Sequence, residues 1–113
     1  MRASWDGDPV SEFDEDFAAG FVGRIVLVGV TELAPDGSVA NQDQLHGVIV
    51  AATAHGIDIA LRGVHEGTTW RMPPWLDDLV VAKPGVYRLH STGEAVADPD
   101  FVFSLTVRAG QRH

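Results

Sequence analysis

Histidine is the residue in this chain with the widest chemical use, and five histidines are spread along it: His46, His55, His65, His90 and His113. None has a metal-binding partner at the usual spacing, since the chain has no H-x-x-x-H or H-x-H pair. Neighbouring strand residues face apart, so His90 is badly placed to activate Ser91 as a nucleophile. A small-ligand or hydrolytic site built from His46, Arg88 and His90 is one alternative for the function.

Other signatures of catalysis are missing from the sequence. The chain has no cysteine, which excludes thiolate chemistry and zinc-cysteine sites. It also has no G-x-S-x-G, no P-loop and no G-x-G-x-x-G motif. We therefore predict a protein that is not an enzyme and that uses neither a metal nor a cofactor.

Two tryptophans that lie close together in the sequence say more about function than the histidines do. Trp70 and Trp75 flank Arg71-Met72-Pro73-Pro74. Tryptophan and arginine are common among the residues that dominate protein interfaces. The sequence therefore predicts an interaction surface that includes Trp70, Arg71 and Trp75, with core filling by the two tryptophans as the alternative.

Acidic residues are concentrated at the start of the chain. Residues 1–16, the acidic head, hold six acids and one base, including the run Asp14-Glu15-Asp16. Such a segment suits a basic partner, or it serves only solubility. We predict that Asp14, Glu15 and Asp16 contribute to the interaction surface.

The overall charge narrows the class of partner. The formal net charge is -8, and the bases are scattered singly rather than clustered as phosphate binding requires. No apolar run reaches the roughly 18 to 20 residues of a membrane span. The sequence predicts a cytoplasmic protein whose partner is another protein or a second copy of itself, and it argues against nucleic-acid and membrane binding.

The elements that would position these residues begin with a helix. Asp8-Pro9 is typical of a helix start, and Val10, Phe13 and Phe17 follow on one face. Gly20 and Gly23 would end this helix of about three turns.

Strand patterns fill the rest of the chain. Arg24–Leu33 has apolar residues on both parities, which predicts a central strand buried on both faces. Further strands are predicted over 39–52, 57–62, 68–72, 86–90 and 101–107, with a helical turn within 75–81 and a long connection over 91–100. Gly47, inside the second strand, predicts a bend or a close backbone approach. If Leu45 faces the core, then His46 faces outward.

This pattern of short strands and frequent turns predicts an antiparallel all-β barrel or sandwich. Its single domain would cover residues 9–110 and follow a flexible acidic segment at residues 1–8. The stretches GRIVLVGVTELAPDGSV, QLHGVIVAAT, GIDIAL and WRMPPWL together resemble a small SH3-like or Sm-like barrel with a short N-terminal helix. The pieces PPWL, PGVYRL and STGEAVADPDF resemble small bacterial proteins of no assigned function. The Sm-like resemblance implies binding of single-stranded RNA as a further alternative.

Overall fold

The computed structural model of the protein describes residues 13–108. It has one short helix, eight strands and two single turns of 3₁₀ helix at Gly63–His65 and Leu76–Asp78. The helix is α1 (Glu15–Ala19), and the strands are β1 (Ile25–Leu33), β2 (Val39–Thr53), β3 (Gly56–Leu61), β4 (Thr69–Met72), β5 (Val80–Val81), β6 (Val86–Arg88), β7 (Ala95–Ala97) and β8 (Phe101–Arg108). The prediction of a mainly β fold with a short N-terminal helix is confirmed.

Within the described residues, the helix begins later in the chain than predicted. Its N-cap is Asp14, whose side chain accepts a hydrogen bond from the Phe17 N–H, and Gly20 is its C-cap. An N-cap residue lies outside helical geometry, so Phe13 precedes the helix instead of belonging to it. The predicted start at Asp8-Pro9 and the predicted flexible segment 1–8 lie outside the described residues.

Six strands form one mixed sheet in the order β4-β3-β2-β1-β8-β5. All of its neighbouring pairs are antiparallel except β1 and β8, which run parallel from Val26↔Phe101 to Leu33↔Arg108. The sheet is thus mainly antiparallel, as predicted, and the sequence analysis did not foresee this one parallel pair. The cause is the connection: after β1 the chain passes through six further strands before it returns beside β1 in the same direction.

The sheet is not closed into a barrel, because its edge strands β4 and β5 do not pair with each other. β4 ends directly before Pro73-Pro74, and proline has no N–H to donate into a ladder. β5 is only two residues long. Neither edge therefore supplies the continuous pairing that closure needs, and the barrel prediction does not describe this sheet.

Strand β1 is buried on both faces, as its sequence predicts. Val26, Val28 and Val30 belong to the main hydrophobic core, whereas Leu27 belongs to a second, smaller core. In that second core Leu27 packs with Leu89 and Val96 from the hairpin of β6 and β7. The predicted long connection over 91–100 thus contains strand β7, and this hairpin forms a second layer over part of the sheet.

The main core is completed by alternating side chains from the neighbouring strands and by the helix. Ile57, Ile59 and Leu61 of β3 are buried, as their alternation with polar residues predicts. The helical segment contributes Ala18 and Phe21. Backbone bonds attach it to the sheet, because the Gly23 N–H donates to the Ile49 carbonyl and the Ile49 N–H donates to the Arg24 carbonyl.

Strand β2 bends so that it can pair with β1 along its first part and with β3 along its second. The pairing partner of β2 changes from β1 to β3 around Gly47 and Val48. The register of the β2–β3 pairing shifts between Ile49 and Ala51, as in a β-bulge. A Cβ at Gly47 would lie 2.9 Å from the Ala60 carbonyl carbon and closer still to its oxygen. Close backbone approach therefore requires glycine at this position.

We expect Gly47→Ala to destabilise the fold by about 1 to 3 kcal/mol, because backbone atoms of β3 must move to admit the methyl group. Gly29→Ala is the matched control: Gly29 lies inside β1, and a Cβ there meets nothing within 4 Å. The control should be neutral or stabilising by up to about 1 kcal/mol. Urea unfolding followed by circular dichroism measures both, and equal stabilities for the two variants would contradict the close approach.

Candidate functional site

A groove lies between the start of α1 and the segment 74–78. Its volume is about 540 Å³. Its walls combine aromatic, apolar and acidic side chains: Phe13, Asp14, Phe17, Pro74, Trp75, Leu76, Asp77 and Asp78. We call it the acidic-aromatic groove.

Helix α1 holds one wall of this groove in place. The Asp14 carboxylate accepts a 2.9 Å hydrogen bond from the Phe17 N–H, which fixes the first turn. Glu15 and Asp16 follow in that turn, where negative charge is favourable toward the helix dipole. The acids thus help to form the helix and also make this wall negative.

The ring of Phe17 on this wall is supported by two further aromatic rings. Phe17 is 49% exposed, and its ring meets Phe21 edge-to-face at a centroid distance of 5.1 Å. Phe21 is buried and in turn lies 5.0 Å from the ring of Phe101 on β8. This aromatic chain connects an exposed ring to the sheet, so the ring is held at the surface.

The opposite wall is shaped by two prolines. Pro73 and Pro74 are buried, and the Trp75 N–H donates to the Pro73 carbonyl at 2.7 Å in a tight turn. The single 3₁₀ turn Leu76–Asp78 then buries Leu76 and leaves Asp77 and Asp78 exposed. Trp75 remains 39% exposed at the groove.

The charged residues that line the groove within residues 13–108 are all acidic. Three carboxylates, those of Asp14, Asp77 and Asp78, line it, and no lysine or arginine is among the described residues that line it. Within residues 13–108 no ion pair or side-chain hydrogen bond engages the carboxylates of Asp77 and Asp78. The groove therefore combines exposed aromatic surface with uncompensated negative charge.

Only some of the residues predicted for the interaction surface lie at or near the groove. Trp75 and Asp14 meet in the groove, and Glu15 and Asp16 are exposed on the same helix. Trp70 is only 3% exposed and packs in the main core, so it has no surface to offer a partner. For this tryptophan the core-filling alternative describes the structure.

Arg71 lies on another part of the surface. Its guanidinium binds the Asp58 carboxylate at two points, with Nε to Oδ1 at 2.6 Å and Nη2 to Oδ2 at 3.1 Å. This hydrogen-bonded partner and its charge raise the pKa of Arg71. Arg71 is not among the groove residues, and its role in the predicted interaction surface receives no support from its position.

A second polar cluster surrounds His46 on the outer face of β2. The His46 side chain is 13% exposed, and its Nε2 lies 3.5 Å from Oε2 of Glu94, which directly precedes β7. That nitrogen is buried and has no hydrogen-bond partner within the described residues. The outward orientation predicted for His46 is confirmed, but the β6–β7 hairpin covers it.

Glu94 joins three parts of the chain. Its Oε2 accepts a 3.1 Å hydrogen bond from the Val64 N–H, while the same oxygen faces His46. Burial raises the pKa of Glu94, but the Thr92 hydroxyl, the His46 imidazole and the Val64 N–H outweigh it, so the pKa lies below its ordinary value. Gly63, with φ of +73°, leaves room for this carboxylate, since a Cβ there would overlap it.

Within residues 13–108, no hydrogen bond or ion pair joins the side chains of the predicted set His46, Arg88 and His90, so this site stays a prediction. Arg88 and His90 are exposed, and the hydrogen bond of His90 is made by its backbone N–H, to the side chain of Gln44. The partner of His46 is Glu94, which the sequence did not single out. The two residues are far apart in the chain, and no local spacing could have linked them.

Two general features of residues 13–108 bear on function. No group of three or more His, Cys, Asp or Glu side chains in this range is arranged to hold a metal ion. The same range contains no helix with the length and apolarity needed to cross a membrane.

Comparisons with known proteins do not identify a family for this chain. No family model, no curated protein and no solved structure matches the chain. The resemblance to SH3-like and Sm-like barrels therefore stays a prediction.

We expect Glu94→Gln to lower stability at neutral pH by about 1 to 2 kcal/mol, because the charged acceptor beside His46 and Val64 is lost. The fold favours the carboxylate, so its contribution is complete above the ordinary pKa of 4.5 and disappears as pH falls through the lowered pKa of the folded protein. The difference between wild type and variant should therefore shrink at acid pH.

Urea unfolding at a series of pH values tests this expectation. Glu66→Gln is the control, since Glu66 is exposed and its side chain makes no hydrogen bond or ion pair with other residues in the range 13–108. A constant difference between wild type and Glu94→Gln from pH 7 to pH 3 would show that the carboxylate charge is irrelevant.

Proposed function

We propose that this protein is a non-enzymatic interaction module that binds a basic segment of a partner protein in the acidic-aromatic groove. One observation carries the proposal: exposed Phe17 and Trp75 lie in one groove with the carboxylates of Asp14, Asp77 and Asp78. A basic segment supplies both the positive charge and the alkyl or planar surface that such walls complement.

Electrostatics supports a basic partner over other partners. The net charge of -8 gives the whole molecule a negative field, which attracts a basic protein over long range and speeds encounter. At short range, the groove carboxylates have no cation of their own within the described residues. A charged side chain from a partner would compensate them.

The aromatic walls would supply most of the binding energy. Buried aromatic anchors dominate many interfaces, whereas exposed ion pairs contribute only about 0.2 to 1 kcal/mol each. The backbone N–H of Trp75 donates to the Pro73 carbonyl in a tight turn, and the Phe17 ring packs against Phe21. Because the Phe17 ring is already packed and the Trp75 backbone is already in a tight turn, binding would lose less conformational entropy than it would with free side chains.

The alternative functions receive less support from the geometry. A hydrolytic or small-ligand site at His46 would have to use Glu94, whose carboxylate already holds Val64. Single-stranded RNA binding needs basic residues beside the aromatic ones, whereas the charged groove residues that the structure describes are acidic. A relationship to SH3-like or Sm-like barrels adds nothing to either, since the described sheet is open.

We expect Asp77→Asn combined with Asp78→Asn to weaken binding of a fluorescently labelled peptide of glycine, lysine and arginine by about three- to tenfold at moderate salt. The control is Glu32→Gln combined with Glu66→Gln, which changes the net charge equally at residues that do not line the groove. Fluorescence anisotropy measures the affinities, and that control should alter them by less than about twofold.

Two results would contradict the proposal. Equal weakening in both double variants would mean that the peptide senses only the net charge. Sedimentation could instead reveal a homo-oligomer that excludes the peptide from the groove, which would replace a basic partner by a second copy.

A further inference from the structure

We infer that the acidic-aromatic groove is specific for an arginine side chain, whose guanidinium stacks on Trp75 and pairs with the carboxylate of Asp77 or Asp78. This inference rests on the proposed function and specifies the group that the groove recognises. It concerns the choice between the two basic residues, which differ in shape and hydration.

The combination of walls favours a planar cation. Guanidinium is flat and weakly hydrated, so it stacks on an aromatic face while its edge donates two parallel N–H bonds to a carboxylate. An ammonium group is compact and strongly hydrated, and it gives up more water to reach the same place. Trp75, Asp77 and Asp78 are near neighbours in the chain and all line the groove, and the inferred guanidinium would contact both kinds of group there.

The apolar lining fits the rest of the side chain. Pro74 and Leu76 are buried beside Trp75, and Phe13 is partly buried across from them. The three methylene groups of arginine can lie along such surface while the charged end remains at the rim. A volume of about 540 Å³ leaves room for the neighbouring residues of a peptide as well.

The second wall would add a weaker contact. Asp14 uses Oδ1 to accept from the Phe17 N–H, so its other oxygen faces no partner within the helix cap. Phe17 offers its exposed ring beside this carboxylate. The arginine would thus be bound mainly by the Trp75 wall and steered by the Asp14 wall.

The test compares three peptides that differ at one position in a neutral glycine-serine background. The position holds arginine, lysine or citrulline, the last being planar like arginine but uncharged. Titration of the isotope-labelled full chain, followed by NMR, gives each affinity and the resonances that shift. The arginine peptide should shift Trp75, Asp77 and Asp78, should bind about fivefold more tightly than the lysine peptide, and should exceed the citrulline peptide by more.

Substitutions in the groove locate the preference. Trp75→Phe should reduce the ratio of arginine to lysine affinity, and Trp75→Ala should abolish it. Val81→Ala, at an exposed apolar residue that does not line the groove, should leave the ratio unchanged. If Trp75→Ala fails to fold by circular dichroism, Trp75→Phe and the Asp77→Asn, Asp78→Asn pair provide the same comparison.

The outcomes separate the inference from the proposed function. Equal binding of arginine and lysine peptides at the groove would overturn the arginine preference and leave the basic-segment function standing. Citrulline binding as tight as arginine would overturn the role of charge in both. Failure of every peptide to shift groove resonances, including the mixed lysine-arginine peptide, would overturn the proposed function itself.

Discussion

The double-sided burial of β1 is the constraint on which the rest of the structure depends. Its valines at 26, 28 and 30 face the main core, and Leu27 faces the second core under the β6–β7 hairpin. A strand buried on both faces must also have its backbone paired on both sides, because unpaired buried amides are costly. β2 supplies one side and β8 the other, and the parallel pairing with β8 follows from the return of the chain to that position.

This arrangement also determines where the groove lies. The parallel register places Phe101 beside Val26, at the start of β1, and Phe21 contacts Phe101 there. Phe17 packs on Phe21, so the outermost ring of the groove is supported, through two intermediate rings, by the central pair of strands. The helix is only five residues long and would have little stability alone, and packing of its apolar side chains on the sheet maintains it.

The sequence predicts those parts of the fold that a single local rule of backbone or side-chain geometry determines. The alternation in β3, the double apolar parity of β1 and the glycine at position 47 each follow from local geometry. The parallel pairing of β8, the strand β7 and the contact between His46 and Glu94 depend on long-range return of the chain, for which no local pattern exists. The groove could be predicted only in part. The sequence indicated both Asp14 and Trp75 as interaction residues, but only the tertiary structure places them in one groove.

The contrast between Trp70 and Trp75 shows how the end of an edge strand places an aromatic side chain at the surface. Trp70 lies within β4 and points into the core, whereas Trp75 follows the two prolines that stop this edge strand. An open edge invites pairing with another chain, and proline is one of the residues that prevents it. Here the same prolines turn the backbone so that the next tryptophan lies at the surface beside two acids. Protection of the edge and presentation of the groove thus have one cause, and a partner would contact side chains there instead of extending the sheet.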